Sequence, residues 1–150
     1  MTTRGGLLLT QGAWDDDAAT IIRVGLMTVQ GATADTQAEV RDLNTVTDLI
    51  VTAGCTEATF TNYARKNLSR SVATEDDAND RVNLDAADVV WTAAGGATNN
   101  TLVGAFFYDA STDTNDTTRI LLSVDWFASS LTTNGGDITY AIADLYRLAT

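Results

Sequence analysis

Thr20-Ile21-Ile22-Arg23-Val24-Gly25-Leu26-Met27-Thr28-Val29 reads as the first strand of the chain and sets its class. A half-buried strand alternates apolar and polar residues, but here apolar side chains fall on both faces. Such a strand belongs in the middle of a sheet covered front and back, not at an edge. The acidic triplet Asp15-Asp16-Asp17 before it reads as a turn. Residues 1–13 read as an N-terminal arm in which Gly5, Gly6 and Gly12 bracket Leu7-Leu8-Leu9, a patch with no periodic partner nearby. Two readings of that patch stand. It is a frayed terminus with a small hydrophobic anchor, or Leu7, Leu8 and Leu9 dock on a neighbouring subunit. Residues 14–150 read as a single β-rich domain.

On the other side of the first strand, the spacing predicts one amphipathic helix over 36–51. Thr36 and Glu39 form a T-x-x-E capping box, which satisfies amide donors at a helix start. Val40, Leu43, Val46, Leu49 and Ile50 then draw one apolar stripe, and Gly54 is a suitable stop. From Phe60 onward the pattern is β. Alternation over Phe60 to Leu68 predicts a strand, followed by a polar turn at Glu75 to Asp80. Further strands are predicted at Arg81–Leu84, Val89–Thr92, Leu102–Tyr108, Arg119–Asp125 and Ile138–Ala143, the last with a tail to Leu148. Gly95-Gly96 and Asn99-Asn100 punctuate a loop. The fold class expected is mainly β: an antiparallel β-sandwich or partly open barrel of about seven strands with that one helix.

Composition agrees. Of the 20 acidic residues 17 are Asp, a turn and cap residue, and the chain carries 25 Thr, which favours strands. The formal net charge of −11 disfavours nucleic-acid binding, because phosphate contacts need clustered Lys and Arg. No apolar run approaches the ~20 residues of a membrane span, so neither nucleic acid nor membrane is an expected partner. The apolar fraction of 45% suffices for an ordinary core.

The chain has no His, and its one Cys and one Lys are Cys55 and Lys66. That removes the usual carriers of acid–base, nucleophilic and zinc chemistry near neutral pH. No enzyme activity and no cofactor are expected, and no catalytic or metal-binding residue is nominated. Asp15 to Asp17 and Glu75 to Asp80 offer carboxylates to Ca²⁺, but neither has the EF-hand spacing, and a solvated turn is the better reading. Cys55 follows Gly54 with no base beside it and reads as a buried, neutral thiol. Trp91, Phe106 and Trp126 read as core. Exposed Tyr63, Tyr108, Tyr140 or Trp14 lining a shallow groove would instead suit carbohydrate binding.

Phe60-Thr61-Asn62-Tyr63-Ala64-Arg65-Lys66, Asp76-Asp77-Ala78-Asn79-Asp80-Arg81-Val82 and Leu84-Asp85-Ala86-Ala87-Asp88-Val89-Val90-Trp91 are similar to a family of small structural proteins of tailed bacteriophages. The opening strand and Thr132-Thr133-Asn134-Gly135-Gly136-Asp137-Ile138-Thr139 resemble the same family, in the same order. The resemblance does not extend over Thr52 to Thr59 or Ser111 to Thr117. It implies a virion protein on or beside an HK97-type head. The leading expectation is a capsid decoration (cement) protein on the outer surface, partnered by the major capsid protein and by itself as a trimer. A head–tail connector or tail-associated protein, and a carbohydrate-binding module for host attachment, are the alternatives.

Overall fold

The computed structural model describes residues 21–34, 36–71, 73–111, 114–142 and 146–149. The arm at 1–13 with Leu7, Leu8 and Leu9, the Asp15 to Asp17 turn, Trp14 and Thr20 lie outside the described residues. The fold is mainly β and its sheets are antiparallel.

β1 (Ile22–Val29) is central, as its two-sided apolar pattern predicts. One edge pairs with β7 (Thr101–Asp109), with Ile22 opposite Asp109 and Met27 opposite Gly104. The other edge is shared by β2 (Thr56–Glu57) and β3 (Lys66–Asn67). β8 (Leu121–Thr132) flanks β7 and completes a five-stranded sheet. Three smaller strands, β4 (Thr74–Asp76), β5 (Arg81–Leu84) and β10 (Tyr146–Ala149), form a second sheet, and β6 (Val89–Trp91) pairs with β9 (Ile138–Tyr140) as a ribbon.

The pleat of β7 sorts two cores. Leu102, Ala105 and Phe107 join Ile22, Val24 and Leu26 of β1 on one face, beneath Leu84, Val89 and Trp91 of the smaller sheets. Phe106 and Tyr108 point the other way, toward Val40, Leu43, Val46 and Leu49. The large sheet is therefore covered on both sides, in an open sandwich-like arrangement.

The predicted helix over 36–51 is instead two short pieces. α1 (Gln37–Asp42) starts with the expected capping box: Thr36 Oγ1 accepts from the Glu39 amide at 3.2 Å, and the Glu39 carboxylate accepts from the Thr36 amide at 3.1 Å. It then stops at Leu43. The Asp48 carboxylate accepts from the amides of Asn44 and Thr45, holding them out of the helical ladder. Leu121 N–H donates to Asn44 C=O and Thr45 bridges Ile120, so the break is stitched to the start of β8. A π-helical turn, Asp48–Thr52, follows and ends before Gly54, whose φ of +79° suits a residue without Cβ. The apolar stripe survives the break, with Val40, Leu43, Val46 and Leu49 all buried.

The alternation over Phe60 to Leu68 does not make one strand. Asn62 takes a left-handed φ of +70°, Tyr63 N–H bonds back to Phe60 C=O, and only Lys66–Asn67 pair with β1. Trp91 Nε1 donates to Ala64 C=O at 2.8 Å, anchoring this loop to β6. β5 and β6 fall where predicted. β8 runs beyond Asp125 to Thr132 because residues 127–130 bulge opposite Val103 alone.

Candidate functional site

Two features stand apart from ordinary core and turn structure. The first is a partly buried charge cluster on the helical side of the sheet. Arg65, in the loop before β3, meets Glu57 of β2 through Nε–Oε1 and Nη2–Oε2 contacts of 2.7 Å each. The same guanidinium meets Asp116 through Nη1–Oδ1 at 2.7 Å and Nη2–Oδ2 at 2.8 Å. Arg119 donates to Asp116 Oδ1 at 2.7 Å. Planar forks on carboxylates are the strong form of ion pairing. The Arg65 guanidinium also sits 5.3 Å from the Phe106 ring centre and 5.1 Å from that of Tyr108, and Arg119 lies 5.4 Å from the latter. Aromatic faces of β7 thus form the floor beneath both cations.

Tyr63 ties this cluster to the sheet. Its hydroxyl donates to Glu57 Oε1 at 2.7 Å and accepts from Leu26 N–H at 3.0 Å, satisfying β1 where β2 and β3 leave a gap between them. Gly25 leaves room here, since a Cβ would lie 2.4 Å from the Phe106 ring and 3.1 Å from the Tyr63 hydroxyl. The Tyr108 hydroxyl has no well-formed hydrogen bond among the described residues, although it lies near enough to Arg65 to favour the guanidinium's charged form.

The ionisation states follow. Burial works against the Arg65 charge, but hydrogen bonds to Glu57 and Asp116 outweigh it and hold the guanidinium protonated more firmly than usual. The Arg65 hydrogen bond lowers the Asp116 carboxyl against the opposing effect of burial, with Arg119 assisting. Burial, reinforced by the Glu57 charge, raises Tyr63 well above the ordinary phenol range. The cluster is a fixed-charge clasp. Its two carboxylates are already engaged by arginine.

The second feature is an apolar groove of about 250 Å³ between the outer half of β8 and β9, lined chiefly by Leu26, Leu102, Phe127, Leu131, Ile138 and Tyr140. Tyr140 sets its width: the hydroxyl donates to Asp125 Oδ2 at 2.6 Å, and the ring lies 6.0 Å from Phe127 and 5.8 Å from Phe107. Leu131 at the rim is 45% exposed.

Among the described residues no group of three or more Asp, Glu, Cys or His side chains is placed to hold a metal ion; of the predicted Glu75 to Asp80 turn, Glu75 and Asp76 are strand residues of β4 and only residues 77–80 connect it to β5. Cys55 is buried, with Gly31 N–H donating to Sγ at 3.3 Å, and burial raises its thiol. Trp91 and Phe106 are fully buried, while Trp126 is half-buried and donates to Ala34 C=O. Of the tyrosines considered for a sugar-binding face, Tyr108 is buried under the arginines and Tyr63 is held by Glu57, so only Tyr140 lines a groove. No helix among the described residues is long and apolar enough to cross a membrane.

Sequence reading passed over Glu57, Arg65, Asp116 and Arg119. Each resembles a surface ion in isolation, and Arg65 is 51 positions from Asp116. No family model, no curated protein and no solved structure matches the chain.

Proposed function

We propose that this chain is a virion structural protein of a tailed bacteriophage: a decoration protein that binds the outer surface of an HK97-type head and stabilises it. Its partners in this reading are the major capsid protein and further copies of itself as a trimer. The observation that carries the reading is where the quoted family segments go. Phe60 to Lys66, the segment ending at Trp91, and Thr132 to Thr139 meet in one hydrogen-bonded corner. Trp91 Nε1 donates to Ala64 C=O, Val90 pairs with Thr139 and Trp91 with Ile138, while Asn62 Nδ2 and Asp137 Oδ1 both bond the backbone of Ala93, two residues past the second segment. Segments scattered over eighty positions thus act as one structural unit, as expected of a family signature that specifies a scaffold instead of an active site.

Charge supports the same reading. Arg65 and Arg119 are engaged by carboxylates, and with 9 basic against 20 acidic residues the net charge of −11 disfavours binding to DNA. Stabilisation would come by mass action, through interfaces repeated across many copies that bind only the mature lattice. The test is imaging of purified particles with and without the protein. Extra density at repeated positions on the outer shell supports decoration. Density confined to the neck or tail would move the assignment to a connector, and no density on any particle would end the virion reading.

A further inference from the structure

We propose that Asn134 is a self-modification site: its side-chain amide closes on the Gly135 nitrogen and loses ammonia, and the fold holds this reaction off through one backbone hydrogen bond, Gly135 N–H to Ala94 C=O. Asn134-Gly135 is the only Asn-Gly step in the chain. It lies exposed in the connection between β8 and β9. Gly135 takes a φ of +93°, which suits a residue without Cβ. The missing side chain also removes the bulk that hinders a backbone nitrogen from reaching the preceding Cγ.

The reaction needs an electrophile and a free nucleophile, and the loop treats the two differently. As Asn134 Cγ is attacked, negative charge develops on Oδ1. Gly136 N–H already donates to that oxygen at 3.0 Å, so a donor stands where the charge will form. The Gly135 nitrogen, by contrast, is tied. Its N–H donates to Ala94 C=O at 2.8 Å, and Ala94 N–H donates back across the corner to Gly136 C=O at 2.8 Å. Ala94 is buried, and Ala93 beside it is fixed by Asn62 Nδ2 on its carbonyl and Asp137 Oδ1 on its amide. The electrophile is set and the nucleophile is locked.

When this bracket opens, hydroxide takes the Gly135 amide proton and the nitrogen bonds to Asn134 Cγ. The Cγ–Nδ2 bond breaks, and the departing nitrogen takes a proton from water and leaves as ammonia, returning hydroxide. A cyclic succinimide remains. Water then adds to one of its two carbonyls and breaks that carbonyl's bond to nitrogen, leaving an aspartyl or an isoaspartyl residue at position 134. No electrons are exchanged with an outside partner. The aspartyl product keeps an oxygen for Gly136 N–H, so the corner recloses. The isoaspartyl product routes the main chain through the former side chain and lengthens it by a methylene, which carries the Gly135 nitrogen out of register with Ala94 C=O. An opening of the corner is then recorded permanently. Nothing in this depends on the virion reading.

The test incubates the full chain at mildly alkaline pH, folded or in unfolding urea, and reads amide-to-acid conversion at each Asn by peptide mapping. In urea Asn134 should convert ahead of every other Asn. Folding should slow it about tenfold or more, equivalent to at least ~1.4 kcal/mol of local opening. Asp137→Ala, at an exposed position, frees the Ala93 amide and should speed conversion in the folded chain several-fold. Amide exchange of the unaltered chain reads the lock without any variant, and Gly135 N–H should be protected. The isoaspartyl product, separated by chromatography, should lose that protection, whereas Asn134→Asp should keep it. Equal conversion folded and in urea, or a Gly135 amide that exchanges as in the unfolded chain, overturns the lock. An Asn134 that stays intact in urea while other Asn convert overturns the site. Unchanged conversion in a folded Asp137→Ala chain overturns the role of the bracket, and protection kept in the isoaspartyl chain overturns the permanent record.

Discussion

The Arg65 clasp and the β8–β9 groove reverse the usual placement of charge and hydrocarbon. On one side of the sheet, four charged side chains are drawn in over aromatic rings; on the other, leucine and phenylalanine are left at the surface. The contrast separates what holds the fold from what is free to meet a partner. A charge that is paired in a bidentate fork and largely removed from water is costly to disturb and has no valence left for a ligand. An open apolar groove contributes little to the fold and gains when something covers it.

Removing the floor of the clasp should have the largest consequence. Phe106→Ala empties a fully buried site beneath Arg65 and is expected to cost about 4 kcal/mol, read as a lower urea midpoint with unchanged slope. Arg65→Met keeps the bulk but strands Glu57 and Asp116. Those carboxylates are a quarter to a third exposed, so the loss is expected at about 2 kcal/mol, below that of a fully buried pair. If Arg65→Met proves neutral, the clasp is ornamental to stability and the contrast fails. Leu131→Asp on the groove side should cost less, about 1 kcal/mol or below, because Leu131 is 45% exposed.

The smallest expected effect is a pH dependence. Asp116 is held below its ordinary carboxylate value of 3.8, so its stabilisation is complete above that value and is lost as the pH falls through the lower folded one. Urea midpoints measured from pH 6 downward should decline on the acid side, and Asp116→Asn should flatten the part of that decline below about pH 4. An unchanged acid limb would mean that other carboxylates set it.

What could be read from sequence was what local pattern controls. The two-sided apolar run of β1 needs no partner to be recognised, and the Thr36–Glu39 box is complete within four residues. The helix break is also local, since Thr45 Oγ1 accepts from the Asp48 amide and the Asp48 carboxylate from the Thr45 amide, but the unbroken apolar stripe across it hid this second box. Alternation from Phe60 to Leu68 misled for a different reason: the Trp91 indole on Ala64 and the Ala93 carbonyl on the left-handed Asn62 fix a loop from outside the segment. The clasp was illegible because its two arginines and two acids come from three separate stretches, each unremarkable alone. The groove was illegible because its walls come from β1, β7, β8 and β9.

Whether the chain works as a shell component turns on stoichiometry. Quantitative mass spectrometry of purified virions, with the major capsid protein as internal standard, measures it. Decoration predicts hundreds of copies per particle, in a fixed proportion to the shell subunit. A dozen copies or fewer, or none, would contradict it.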